Sequence, residues 1–269
     1  MTSLSVVPPS PPLREFVQGY VLRAEHLGQD TVISPVTARF DVVLAFHFEQ
    51  ASEAYEYLSG RTRVLPTPLL VGPQTHRLAD LHLRGRRASL LVHFQPGGFH
   101  RLFHLPTELL TDTALDAREV LGRAPDVLYQ ELSAATSEAR VPLIERYLSS
   151  RLPLALPRHA VTDAAQAIRH MRGRVRLHDL VADSGLGERQ FERRFREQMG
   201  IAPKLYARVA RLNFALHLKR SQPLLTWARI SQEAGYFDQT HLGKDFKALA
   251  GAAPSRVSGF YYPGTTVHA

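Results

Sequence analysis

The chain of 269 residues contains no cysteine. Without thiols it cannot form a disulfide framework, a thiolate zinc site, a cysteine nucleophile or a redox-sensing pair. It also lacks any run of about eighteen apolar residues, the length that spans a bilayer. The N-terminal segment, MTSLSVVPPSPPLREF, has neither the basic nor the apolar region of a secretion signal. These absences predict a cytoplasmic protein with no membrane partner.

The excess positive charge of the chain lies in one part of it. The formal net charge is +8, and the apolar content of 44% fits two globular domains at this length. Residues 1–158 carry 16 basic and 16 acidic side chains, whereas residues 159–269 carry 17 and 9. A neutral domain followed by a basic one favours a polyanionic partner for the second, and nucleic acid is the commonest such partner.

Short apolar runs dominate the first third of the chain. They lie at 16–23, 41–48, 68–72 and 88–94, and Gly, Pro and charged segments separate them. Several short strands at this spacing predict an antiparallel barrel or sandwich.

The apolar period becomes helical beyond Gly97 and Gly98, which we expect to let the chain pass from the last strand into a helix. Pro153 and Pro157 bracket a short segment, PLALP, that should end the helical part of the first domain. The predicted class is α+β: an antiparallel barrel or sandwich-like domain followed by helices, then an all-α domain. The predicted boundaries are an N-terminal domain at 1–152, a linker at 153–158, a basic helical domain at 159–258 and a tail at 259–269.

Two segments of the basic domain share one layout. In RLHDLVADSGLGERQFERRFREQMG (176–200), a helical pattern ends near Gly185 and a second one follows. In LTWARISQEAGYFDQTHLGKDFKALAG (225–251), the same order recurs around Gly235, 50 residues later. A glycine can adopt the positive φ that a tight turn between helices requires. A connecting helix of about 16 residues starting near Pro203 would be about 24 Å long. A connector of that size could hold the second helices of the two units about one DNA turn apart, roughly 34 Å.

These segments resemble the AraC/XylS family of transcription regulators over roughly residues 160–256. The matching sequences are AGYFDQTHLGKDFKALAGAAPSR and GLGERQFERRFREQMGIAPKLYARVARLNFAL. The resemblance implies a DNA-binding domain with two helix-turn-helix units, whose second helices enter successive major grooves. LLVGPQTH (69–76) and VHFQPGGFHRLF (92–103) resemble the sensor-type domain of one branch of the family, which implies ligand sensing or dimerisation by the N-terminal domain.

The second helix of the first unit carries the first set of candidate DNA contacts. Phe191 and Phe195 take the buried positions, which leaves the polar side chains on the outward face. Arginine can donate two hydrogen bonds to guanine and glutamate can accept one from cytosine. We therefore expect Arg189, Glu192 and Arg193 to contact base edges. The other candidates on this helix are Gln190, Arg194 and Arg196, and the two arginines suit phosphate contacts or a solvated surface equally.

The corresponding helix of the second unit should bury Leu242 and Phe246 and be capped by Asp238. Lys244 stands where the family usually has arginine, so a planar grip on guanine becomes a single point charge. Val181 and Ser231 occupy a helix-packing position that the family usually fills with alanine. The exposed candidates on this helix are Gln239, Thr240, Gly243, Lys244 and Lys247.

Histidines of the N-terminal domain raise the alternative of a metal site. His100 and His104 are four residues apart, and His47, His82 and His93 lie in predicted strands. The spacing has no HxH or HExxH pattern and no carboxylate in fixed register, which favours histidines without a ligand role. We therefore expect no metal, no cofactor and no catalytic residues.

The leading hypothesis is a transcription regulator that binds double-stranded DNA and responds to a small-molecule effector, with signal transfer through the helices at about 125–172. RNA polymerase is a further partner if the protein activates, and homodimer formation stays open. Two alternatives remain: a metal-dependent barrel enzyme with a DNA-binding appendage, and an architectural protein that binds DNA without reading its sequence.

Overall fold

Ten strands build the N-terminal half of a computed structural model that describes residues 2–257. The end of the predicted domain at 258 and the predicted tail at 259–269 lie outside the described residues. All strand pairs are antiparallel, as the sequence predicts. The strands are β1 (Thr2–Val7), β2 (Val17–His26), β3 (Val32–Val36), β4 (Val43–Glu49), β5 (Glu53–Glu56), β6 (Arg61–Val64), β7 (Leu69–Val71), β8 (Ala79–Leu83), β9 (Arg86–Phe94) and β10 (Ala114–Asp116).

The strands form two facing sheets. One has six strands in the order β1-β2-β9-β4-β7-β10, and the other has four in the order β3-β8-β5-β6. The four predicted apolar runs correspond to β2, β4, β7 and β9, which are neighbours in the larger sheet. The prediction of a barrel or sandwich is therefore confirmed.

Strand β4 shows why its sequence is almost continuously apolar. Successive side chains of a strand point to opposite faces. Leu44, Phe46 and Phe48 pack into the core beneath the helices, whereas Val43 and Ala45 pack with residues of the smaller sheet. Both faces of the larger sheet are thus covered.

Helices follow β9 and cover the outer face of the larger sheet. Gly97 has a φ of 69°, and a Cβ on Gly98 would lie 2.1 Å from the carbonyl oxygen of Phe16. Both positions require glycine, which confirms the predicted role of this pair. These helices are α1 (Gly98–Phe103), α2 (Ala117–Leu121), α3 (Ala124–Ala134) and α4 (Ser137–Ser149).

The predicted linker begins with a 3₁₀ turn at Leu152–Leu154, and an all-helical domain follows it. The turn glycines Gly185 and Gly235 have φ values of 67° and 75°, as their positions in the sequence predict. The connecting helix has 19 residues, slightly more than expected, and starts at Pro203. The helices are α5 (Ala160–His170), α6 (Leu177–Asp183), α7 (Glu188–Met199), α8 (Pro203–Ser221), α9 (Trp227–Glu233), α10 (Gln239–Ala250) and α11 (Pro254–Val257).

One apolar core holds both helix-turn-helix units around α8. Phe191 and Phe195 of α7, together with Leu242 and Phe246 of α10, are buried in it as predicted. An ion pair between Arg208 and Asp245 (2.8 Å) joins α8 to α10. The shared core fixes α7 and α10 relative to each other, which two units on a flexible tether could not achieve.

Candidate nucleic-acid interface and sensor cavity

Helix α7 presents a polar face with both charge signs. Arg189, Gln190, Glu192, Arg193 and Arg196 are exposed, opposite the buried phenylalanines. The outward orientation that the sequence predicts for these five side chains is therefore observed.

Two candidate arginines of α7 are engaged within the helix. Arg196 donates a hydrogen bond to Glu192 (3.1 Å), and both side chains are exposed. Arg194 is half-buried and donates to Glu197 (3.2 Å). Exposed ion pairs such as that of Arg196 with Glu192 contribute little to stability. Arg194 is the candidate least available to solvent on this helix.

Helix α10 presents the second set of candidates. Gln239, Thr240, Lys244 and Lys247 are exposed, whereas Gly243 is half-buried, which departs from its predicted exposure. The Asp238 side chain accepts a hydrogen bond from the His241 backbone N–H at 2.7 Å, so the predicted cap is confirmed. The exposed side chains of Gln239 and Thr240 therefore lie in the first turn of α10, directly after the Asp238 cap.

The sequence analysis missed one exposed residue beside this cap. Phe237 is 92% exposed and immediately precedes Asp238. The signal that could have revealed it is the spacing of the two units, whose turn glycines are 50 residues apart but whose buried helical residues are 51 apart.

Two of the histidines considered as metal ligands, His100 and His104, contact backbone carbonyl groups. His100 Nδ1 lies 2.9 Å from the Leu105 carbonyl oxygen, and His104 Nε2 lies 2.6 Å from that of Leu154. Across residues 2–257, no group of three or more acidic or histidine side chains is arranged to hold a metal ion.

A cavity of about 280 Å³ lies between the two sheets. Its middle is lined by apolar side chains, among them Ala45 of β4 and Leu91 of β9, which are directly opposite each other in the register. Two residues further along the same strands, the lining becomes polar at His47 and Ser89. The cavity is thus apolar in the middle and polar towards its ends.

One polar end combines two arginines, a glutamate and a histidine. Arg87 donates to Ser52 (2.5 Å) and lies 3.5 Å from Glu25, which also pairs with Arg23. Burial, followed by the charges of Arg87 and Arg23, lowers the pKa of His47 to about 4. His47 is therefore neutral near pH 7, and its cluster carries a net positive charge.

The opposite end of the cavity meets a cleft of about 1000 Å³ between the two domains. Arg39 donates two hydrogen bonds to Asp41 (2.9 and 2.7 Å), and His93 Nδ1 lies 2.8 Å from the same carboxylate. Burial opposes the ionisation of Asp41, but Arg39 and His93 outweigh it and hold the pKa of Asp41 below its usual range. Arg39 and His93 line both spaces, so the cavity and the cleft are adjacent.

Two family models match the chain. Residues 180–258 match a helix-turn-helix domain, and residues 5–116 match a domain of unknown function (DUF6597). The C-terminal domain is a helix-turn-helix domain of the AraC type.

Among known proteins, this chain is similar over part of its length to the probable transcriptional regulator LumQ of Photobacterium leiognathi. The two are 30% identical over 93 residues, which make up 34% of this chain and 36% of LumQ. The match thus spans about a third of the length of that relative.

Solved structures of ToxT from Vibrio cholerae have the same fold. The structure from strain O395 covers 89% of this chain and 96% of ToxT at 11% identity, with a TM-score of 0.50. A second crystal form covers 89% and 97% at 9% identity, with a TM-score of 0.51. A third, bound to (E)-4-(8-methylnaphthalen-1-yl)but-3-enoic acid, covers 89% and 98% at 11% identity, with a TM-score of 0.50. The likeness confirms the order of a β-rich domain followed by a helical one.

The AraC-type domain contacts the N-terminal domain at the carboxyl ends of both candidate recognition helices. Thr111 Oγ1 donates to the carbonyl oxygen of Gly200, directly after α7 (2.6 Å). The backbone N–H of Ala38 donates to the carbonyl oxygen of Leu249 in α10 (2.8 Å). We call these two hydrogen bonds the domain clasp. The expected route for signal transfer, through helices at 125–172, is therefore not the only direct connection within residues 2–257.

Aromatic packing reinforces the domain clasp. Phe40 of the N-terminal domain stacks on Tyr206 of α8, with ring centroids 4.7 Å apart. Arg169 of α5 lies over the ring of Phe40 and donates to Gln95 (3.1 Å).

Within residues 2–257, no helix is both long and apolar enough to cross a membrane.

Proposed function

We propose that this protein is a cytoplasmic, sequence-specific DNA-binding transcription regulator of the AraC/XylS type. The observation that carries the proposal is a pair of helices, α7 and α10, which turn polar side chains outward from one shared core. In this proposal residues 1–152 sense, residues 153–158 link and residues 159–258 bind DNA. The partner is duplex DNA, read in two successive major-groove segments.

The proposed contacts divide by chemistry. Arg189 and Arg193 suit guanine and Glu192 suits cytosine, since these side chains match the hydrogen-bonding edges of those bases. On α10, Gln239 suits adenine. The remaining proposed contacts, to phosphates or neighbouring base edges, are Gln190, Arg194, Arg196, Thr240, Gly243, Lys244 and Lys247.

We infer that the cavity of the N-terminal domain holds a small effector. Its apolar middle and net positive end suit a compact apolar molecule that carries an anionic group. The ToxT structure with a bound naphthyl butenoic acid supports this class, because that ligand pairs an apolar ring system with a carboxylic acid.

The domain clasp offers a short route from the effector to DNA. Ala38 directly precedes Arg39, and Thr111 directly precedes Asp112, and both Arg39 and Asp112 line the cavity. A ligand that moves these cavity walls would shift the carboxyl ends of α7 and α10. The distance or angle between the two recognition helices would then depend on occupancy, and so would the affinity for two successive grooves.

Selection of bound sequences from random duplex DNA tests the regulator proposal. The wild-type chain should enrich a site with two conserved segments about one helical turn apart. Arg193→Ala should weaken binding to that site by about 1–3 kcal/mol and leave binding to unrelated DNA nearly unchanged. An even loss across all sequences would favour an architectural binder instead.

A thermal-shift titration with the naphthyl butenoic acid tests the effector proposal. Binding to the folded state should raise the melting temperature in proportion to the logarithm of ligand concentration. Ala45→Phe would fill the cavity and should abolish the shift, whereas Ala51→Phe, in the exposed loop between β4 and β5, should preserve it. A shift that survives Ala45→Phe would place the ligand elsewhere.

A further inference from the structure

The aromatic ring of Phe237 lies outside the core, next to the start of the second recognition helix. The side chain is 92% exposed, and the next residue is Asp238, the cap of α10. The preceding residue, Tyr236, is buried. A single apolar surface residue needs no explanation by itself, so exposure alone assigns no role to this ring. Its position does.

The two helix-turn-helix units differ by one residue in this turn. The helix caps, Gly187 and Asp238, are 51 residues apart, whereas the turn glycines are 50 apart. The residue before the cap is Leu186 in the first unit, where it packs against the core. In the second unit the buried side chain comes one residue earlier, at Tyr236, and the additional residue of the turn is directed outward.

Phe237 does not take the packing role that its position offers. A hydrophobic residue before a helix cap often packs against the fourth residue of the helix, here Leu242. Leu242 is 1% exposed within the core, and the ring of Phe237 is almost fully exposed. The ring therefore contributes little to capping α10, and its apolar surface remains for a partner.

The neighbouring groups indicate which part of DNA the ring would meet. In a helix-turn-helix the N-terminal residues of the recognition helix contact base edges in the major groove. Phe237 immediately precedes the Asp238 cap at that N-terminus, and it has no charge with which to bind phosphate. The apolar group on a base edge in the major groove is the C5-methyl of thymine, which phenylalanine can contact.

We propose that Phe237 reads thymine through its C5-methyl group and adds sequence preference to the second half of the bound site. This inference rests on the proposed function, since it requires specific DNA binding by α10. It assigns to an apolar contact part of the discrimination that Lys244, as a single point charge, does not supply.

Replacement of thymine by deoxyuridine tests the proposal, because it removes only the methyl group. The wild-type chain first defines its site by selection from random DNA. Each thymine of that site is then replaced singly, and dissociation constants are measured for wild type, Phe237→Ala and Phe237→Leu. The control is Leu224→Ala, since Leu224 is 98% exposed in the turn between α8 and α9.

One thymine in the second half of the site should show the effect. Deoxyuridine there should weaken wild-type binding about four-fold, the value for one buried methyl group. Phe237→Ala should bind the thymine site more weakly than wild type and lose the difference between thymine and deoxyuridine. Phe237→Leu should retain part of that difference, and Leu224→Ala should retain all of it.

The outcomes separate the inference from the proposed function. If the wild-type chain enriches no sequence, both are wrong. If it enriches a site and Phe237→Ala shows the wild-type penalty at every thymine, only the inference is wrong. If Phe237→Ala abolished transcription but left DNA binding intact, the ring would contact a protein partner, and the inference would again be wrong.

Discussion

Replacement of His47 by glutamine should change how the stability of the protein depends on pH. His47 lines the cavity beside Arg87 and Arg23, and its pKa lies at about 4, below the ordinary value of 6.5. The unfolded chain therefore binds a proton on this histidine at a pH where the folded chain does not. Stability from the neutral imidazole is complete above the unfolded pKa and is lost as the pH falls from about 6.5 towards 4.

The magnitude follows from the two pKa values. Each unit of difference corresponds to 1.36 kcal/mol, so the full loss would be about 3 kcal/mol. At pH 5 the unfolded histidine is almost fully protonated and the folded one is mostly neutral, which gives a loss of about 2 kcal/mol.

Urea unfolding at pH 7, 6, 5 and 4.5 measures the effect. The free energy of unfolding of wild type should fall about 2 kcal/mol further between pH 7 and pH 5 than that of His47→Gln. His26→Gln serves as the control, since His26 is exposed at the end of β2 and should leave the wild-type slope unchanged. Parallel slopes for wild type and His47→Gln would refute the argument.

Three further predictions concern the AraC-type domain. Lys244→Arg should tighten DNA binding by about ten-fold at selected sites that place guanine opposite this residue, because arginine can donate two hydrogen bonds to that base. Fluorescence anisotropy measures the affinity. Equal affinities of wild type and variant would show that Lys244 does not contact a base. Ser231→Ala should raise the free energy of unfolding by about 1 kcal/mol, because the buried Ser231 hydroxyl has no hydrogen-bond partner among residues 2–257; a lower melting temperature would contradict this. Thr111→Val should lower the free energy of unfolding by about 1 kcal/mol and speed hydrogen exchange at the end of α7, because it removes half of the domain clasp; unchanged exchange would show that this hydrogen bond does not hold the helix.

Much of the helical domain follows from its sequence pattern. The turn glycines, the buried phenylalanines and the Asp238 cap are local features, and each has a short-range physical cause. The N-terminal domain was harder to predict, because β5 and β6 are short and mostly polar and β3 contains a proline. Central strands have an apolar signature, whereas such short strands in the smaller sheet do not.

The contacts between the domains were not predictable from the sequence. Ala38 and Phe40 belong to a segment between β3 and β4 whose sequence reads as a loop, yet both residues pack against the core of the helical domain. Whether such a residue is buried depends on how the two folded domains pack against each other. The apolar periodicity of the sequence contains no information about that packing. The polar end of the cavity is similar, since its residues come from separate strands.

The packing of Ala38 and Phe40 against the helical core also limits how freely these two halves could be exchanged between proteins. A chimaera that joined this DNA-binding domain to a different N-terminal domain would lose Phe40, which stacks on Tyr206, and would leave a cavity beside Leu249, where Ala38 packs. Such a fusion would need compensating substitutions at the domain interface before it could fold stably. The two domains of this chain should therefore have diversified together rather than as interchangeable parts.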